Sequence, residues 1–161
     1  MNSLKNKKGK VVIYSCYIIL LDQISKFLVL TTLGYEQTKN IIPYLLNLNL
    51  VKNKGAAFSL FSNSTTLLTF ISIFASLLLI ILIIKSPPTT YWNSMGIAFL
   101  FGGTVGNGID RLVKGYVLDF LEIVPINFPI FNVADISINI AIVCFIIDQV
   151  MKNKQSRNSF K

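Results

Sequence analysis

The chain has 161 residues, 53% hydrophobic and 14% charged, with a net charge of +8 and no histidine. An ordinary soluble domain carries about a quarter charged residues, so the composition excludes that class and predicts a membrane protein of one domain, residues 1–161. Without imidazole there is no Ser-His or Cys-His nucleophile and no HExxH zinc site, which leaves carboxylates, hydroxyls, lysine or a metal for any catalysis.

Lys5, Lys7, Lys8 and Lys10 precede the first apolar block, and Lys152, Lys154, Arg157 and Lys161 follow the last. Basic flanks of this kind set orientation by the positive-inside rule. They predict both termini in the cytoplasm, and no nucleic-acid partner. The first predicted span is 11–33, with Gly34 as its terminator. Its charged leader is not a signal peptide, because the apolar part is too long and no small-x-small site closes it. Asp22 and Lys26 lie one turn apart on it, acid first. Cys16 and Cys144 both fall inside apolar blocks and are read as small buried residues.

Residues 34–64 form a predicted external loop. Within it Leu46-Asn47-Leu48-Asn49-Leu50 alternates as a strand does. Asn53-Lys54-Gly55 reads as a turn, and the small and apolar run 56–61 follows. Two readings stay open: a short surface sheet with its leucines toward lipid or a substrate chain, or a loop packed on the helices.

The second span is 65–84, twenty residues without a charge, which is about the length that crosses a bilayer. Lys85 and Pro87-Pro88 end it on the cytoplasmic side. The third span, 92–112, opens at the aromatic pair Tyr91-Trp92. Gly103, Asn107, Asp110 and Lys114 share one of its faces, and Gly102 and Gly106 allow close helix approach. A second external loop, 113–130, places Asp119 among Leu118, Phe120 and Leu121, a setting that disfavours a charged carboxylate.

The fourth span, 131–151, carries Asn132, Asp135 and Asn139 on one face, with Asp135 roughly 6 Å below its start. Asp148 and Lys152 read as an end-of-helix pair. A carboxylate at the centre of a span costs roughly 2.5–3.5 kcal/mol, and such acids normally mark function. Polar stripes are thus predicted on the first, third and fourth helices, turned together near the external surface, and none on the second. Asp119 and Asp135 lie 16 residues apart, joined by a loop with Pro125 and Pro129 that can bring them together. Two adjacent carboxylates sharing a proton can hydrolyse an amide. From the residues alone, a catalytic pair, structural helix-end contacts and an ion site all remain open.

DQISK (22–26), KNKGAAFS (52–59), GNGIDRLVKGYVLDF (106–120) and FNVADISI (131–138) together resemble the bacterial lipoprotein signal peptidase family, signal peptidase II, in the family's order. The resemblance implies an all-α membrane protein with four transmembrane helices, both termini inside, and a small external β-sheet that cradles the substrate. It implies an intramembrane aspartic endopeptidase that cuts prolipoproteins just before a diacylglyceryl-modified cysteine. The site would face the outside of the bacterial cell membrane. Asp119 and Asp135 would be the catalytic pair, and Asn53, Gly103, Asn107, Asp110, Arg111, Asn132 and Ala134 would shape the site. Asp22 and Lys26 would be structural or lipid-contacting. No metal or cofactor is expected; the partners are a lipid-modified prolipoprotein and membrane lipid, met by a monomer.

Three departures bear on loop shape and substrate preference: Ile136 where serine is expected, Ala141 where glycine is common, and the short loop 120–130. The alternatives are a four-helix ion-coupled transporter, with Asp22 as its best carboxylate, and a lipoprotein chaperone that binds without cutting.

Overall fold

A computed structural model describes residues 2–35, 37–55, 64–85, 88–126 and 128–159, with side chains described from 7 to 157. Glu36, the 56–61 run, Pro87 and Lys161 lie outside the described residues. The elements in chain order are α1 (Asn2–Leu33), β1 (Thr38–Ile42), β2 (Leu46–Asn53), α2 (Thr65–Lys85), α3 (Tyr91–Lys114), β3 (Val117–Ile123) and α4 (Val133–Ser159). Relative to expectation, α1 starts earlier, and α4 starts two residues later and runs further.

Among the described residues, three helices are long and apolar enough to cross a bilayer: Lys7–Leu33 within α1, Thr65–Lys85, and Val133–Arg157 within α4. Their outer faces carry bare apolar side chains such as Phe27, Phe74 and Ile146. The helix α3 has the length, 24 residues or about 36 Å, but its glycines and polar stripe lower its hydropathy. It packs against α1, α2 and α4, so its polar face is shielded by protein. Adjacent glycines make this close: a Cβ on Gly102 would lie 2.7 Å from Ile18 of α1, and one on Gly103 2.5 Å from the Ala134 carbonyl of α4. Thr90 caps the start of α3 by accepting from the Asn93 N–H, and Gly115, at φ 76°, ends it.

Of the two readings of the first loop, the sheet is the one found. It is antiparallel with order β1-β2-β3. The sequence does not signal β1 or β3; in β3, Val117 to Phe120 are all buried, which removes the alternation that reveals a half-exposed strand. The leucine face of β2 is a correction. Leu50 packs with Val29 and Leu33 of α1 and with Leu118 and Phe120, and Leu48 leans on the same cluster. Leu50, 1% exposed, thus holds the sheet to the helices and does not face lipid or a substrate chain, and Leu48 is half-buried beside it.

At the opposite end of the bundle, Val11, Ile83, Ile97 and Ala98 form a second core with Phe145. Lys8 Nζ bonds the Ile84 carbonyl at 2.7 Å and Lys7 bonds that of Thr89. Asp148 pairs with Lys152 at 2.7 Å and accepts from the Thr90 hydroxyl. The basic start of α1, the α2–α3 connection and the far part of α4 therefore share one end, and the sheet occupies the other.

Candidate active site

The site is built at the start of α4. Asn132 Oδ1 accepts from the Asp135 N–H at 3.0 Å, and Asp135 Oδ2 accepts from the Asn132 N–H at 3.1 Å. This is a reciprocal capping box, with Asn132 as the cap and Asp135 as the third helical residue. Asp135 is therefore shallower than the full turn expected from the sequence. Its other oxygen, Oδ1, accepts from Asn107 Nδ2 at 2.8 Å. Asn139 does not join it: the side chain is exposed and donates to the Asp135 carbonyl at 3.0 Å. The predicted stripe divides because Asp135 is drawn back toward the cap, while Asn139 continues along the outside of the helix.

Asp119 comes from β3. Asn132 Nδ2 donates to its Oδ1 at 2.6 Å and Asn53 Nδ2 donates to its Oδ2 at 2.7 Å. Asn53, the last residue of β2, is held in turn by the Gly55 N–H, which donates to its Oδ1 at 2.8 Å. Asp119 is 2% exposed. Burial, and then the charge of Asp135, push its carboxyl up to about 7, against the two amide hydrogen bonds and the Lys26 charge.

Beneath the pair, Lys26 Nζ contacts Asp22 Oδ2 at 2.8 Å, Asp110 Oδ2 at 2.9 Å and Asn107 Oδ1 at 3.0 Å. Lys26 and Asp22 are fully buried, so of their two expected roles lipid contact is corrected. Asp110 also pairs with Lys114 at 2.8 Å and accepts from the Leu118 N–H at 3.2 Å. Asp22 Oδ1 accepts from the Ala134 N–H at 2.9 Å. Gly106 is required here, since a Cβ would stand 2.7 Å from Asp22 Oδ2.

Arg111 donates to Ser72 Oγ of α2 at 3.3 Å and feels the charges of Asp135, Asp119 and Asp110. Ser72, the residue of α2 that meets Arg111, is a single hydroxyl on a helix without a polar stripe, and the sequence reading does not single it out. Gln23, which adjoins Asp22, carries no signal in the sequence either; its amide donates to Asp22 Oδ2 and the Gly106 carbonyl at 3.0 and 3.1 Å. On the surface, Lys52 lies 4.1 Å from the Tyr35 ring centroid and 5.3 Å from that of Tyr116. Only the folded sheet reveals that cluster.

Two carboxylates bonded through one asparagine, one of them titrating near neutrality, can share a proton and exchange it with a reacting group. The chain matches the family model for signal peptidase (SPase) II over residues 14–151. It is 45% identical over 141 residues to a lipoprotein signal peptidase of Parasynechococcus marenigrum, covering 88% of this chain and 89% of that protein. The lipoprotein signal peptidase of Trichormus variabilis is 42% identical over 137 residues, 85% of this chain and 87% of that one. A bacterial membrane enzyme solved by the in meso method at 2.3 Å resolution superposes with a TM-score of 0.83 at 30% identity, covering 91% of each chain. With the family pattern running from α1 to α4 and relatives this similar over most of both lengths, the chain belongs to the signal peptidase II family, aspartic peptidases that remove signal peptides from prolipoproteins.

Proposed function

We propose that Asp119 and Asp135 are the catalytic pair of this peptidase and that they share one proton. The carrying observation is Asn132, which donates to Asp119 through its side chain and to Asp135 through its backbone. The charged member takes a proton from water as the water oxygen attacks the scissile carbonyl, and the protonated member donates to the carbonyl oxygen. When the tetrahedral adduct collapses, the C–N bond breaks and the proton taken from water passes to the leaving amine. Asn53, Asn107 and Asn132 orient the carboxyls. Gly103 and Ala134 let α3 and α4 close on each other, Asp110 holds the strand before Asp119, and Arg111 adds positive charge beside the pair.

In this reading residues 1–161 are one integral membrane domain with α3 as its fourth span, acting as a monomer. Lys7 and Lys8, at the end opposite the sheet, support cytoplasmic termini and a site on the outer face of the bacterial cell membrane. An impermeant maleimide applied to intact cells should label Tyr44→Cys at the sheet and leave Lys154→Cys unlabelled. The reverse pattern overturns the orientation. The substrate is a prolipoprotein cut before a diacylglyceryl-modified cysteine, whose acyl chains stay in the outer leaflet beside the site.

The test is cleavage in membranes of one lipidated and one unlipidated precursor by the parent, Asp119→Asn and Asp135→Asn. Only the parent should cut, and only the lipidated precursor. Cleavage by either variant removes the pair. The mechanism uses only the two carboxyls and water, so activity should survive chelators. Loss with EDTA and recovery on adding a metal overturns that.

A further inference from the structure

Each proposed catalytic aspartate follows a residue whose N–H is held by a different buried carboxylate. Ala134, before Asp135, donates to Asp22 at 2.9 Å; Leu118, before Asp119, donates to Asp110 at 3.2 Å. Those two carboxylates belong to α1 and α3, and both meet the same ammonium, Lys26 Nζ, at 2.8 and 2.9 Å. The third acceptor of that ammonium is Asn107 Oδ1 at 3.0 Å. Lys26 thereby uses all three of its donors and is fully buried.

The third contact fixes an orientation. Lysine can only donate, so Asn107 must turn its oxygen toward Lys26, where Asn132 Nδ2 also donates to it at 3.0 Å. Its NH2 group is left to face Asp135 Oδ1 at 2.8 Å. Reversed, the amide would set an oxygen against a carboxylate. We infer that Lys26 is a positioning residue for the proposed pair: its ammonium sets the Asn107 amide and ties together the two carboxylates that hold the backbone beside each aspartate. This rests on the assignment of Asp119 and Asp135. Stability alone does not require the cation, because buried ion pairs replaced as a whole by apolar groups often cost the fold little.

Lys26→Met alone leaves Asp22 and Asp110 without their shared cation and is expected to fold poorly. The decisive variant is Lys26→Met with Asp22→Asn, which keeps the cluster's charge balanced and retains an oxygen for the Ala134 N–H. The charges felt by the pair are Lys26 and Asp22 from α1 and Arg111 from α3, and Asp110 of α3 acts behind them on Lys26, Lys114 and Arg111. Purified full-length protein in lipid is assayed on a lipidated precursor across pH, with thermal unfolding measured in parallel.

The double variant should unfold as the parent does and keep KM within about twofold, while kcat falls about tenfold or more. At Asp135 the loss of Lys26 is offset by the loss of Asp22, but Asp119 loses the Lys26 charge alone, so the alkaline limb of the pH–rate profile set by Asp119 should move up by about half a unit. A purely structural residue changes the amount of active enzyme and leaves that profile in place. A folded double variant with the parent's kcat and profile overturns the proposal, as does one that fails to fold. Asp119→Asn and Asp135→Asn are run in the same assay: cleavage by either removes the pair itself, whereas their inactivity beside a parent-like double variant removes only the role of Lys26.

Discussion

Asn132 and Asp135 cap each other across the first turn of α4, side chain to N–H in both directions at 3.0 and 3.1 Å. The Asn132 amide then reaches Asp119 at 2.6 Å, so the bonds that start the helix also set the two carboxylates relative to each other. The two roles can be separated. Serine is as good a cap as asparagine but has no amide to extend to Asp119. Asn132→Ser keeps the cap but leaves buried Asp119 Oδ1 without its amide donor, and should lose about 1–3 kcal/mol of stability and about a hundredfold in kcat. A variant that cuts at the parent's rate would show Asn132 to be only a cap.

Asp135→Asn makes the complementary separation. An amide oxygen still accepts from the Asn132 N–H, so the capping box survives, while the group that exchanges protons is gone and an NH2 replaces the acceptor facing Asn107. Circular dichroism should match the parent, stability should fall by about 1–3 kcal/mol for that lost hydrogen bond, and precursor cleavage should fall below detection. Measurable turnover in this folded variant assigns the chemistry elsewhere.

The spans of α1, α2 and α4 are legible because runs of about twenty apolar residues have little other use. A carboxylate near the head of such a run is legible as costly, which singles out Asp135. Partners from distant parts of the chain are a different matter. Asn53 donates to Asp119 from 66 residues away, and only β2–β3 pairing brings them together. The strand β3 is hidden because it is buried on both faces, and Asn139 misleads because helical periodicity ignores how a cap redirects the first turn. Ser72 is hidden for a simpler reason: one hydroxyl in an apolar span bonds its own backbone, as it does to the Leu68 carbonyl at 2.9 Å, and signals nothing of Arg111.

Two glycines on α3 should respond oppositely to alanine. At Gly103 a Cβ would lie 2.5 Å from the Ala134 carbonyl, a backbone atom in the first turn of α4. Relief requires that turn to move away from α3, which lengthens the Asn107–Asp135 hydrogen bond. Gly103→Ala should cost about 1–3 kcal/mol and depress kcat further than the loss of folded protein explains. At Gly108 the nearest atom is Ser72 Cβ at 3.4 Å, an ordinary contact, so Gly108→Ala should be tolerated. Equal effects in unfolding and cleavage assays would contradict this packing.

The titration of Asp119 makes stability depend on pH in a stated direction. Its carboxyl lies at about 7 in the folded protein against an ordinary value of 3.8, chiefly because burial penalises the charge. Between those values the folded state holds a proton that the unfolded chain has released, so stability falls as pH rises through this window. The contribution is full below about pH 4 and is lost by the time pH has passed about 7; it amounts to on the order of 4 kcal/mol. Asp119→Asn cannot ionise, although its NH2 must face one of the two amides that donate to Asp119, those of Asn132 and Asn53. It should flatten the unfolding temperature between pH 5 and 8, the range over which the parent loses stability. A parent that gains stability over that range, or a variant as pH-sensitive as the parent, would mean that Asp119 is ionised throughout and is not the proton-holding member of a pair.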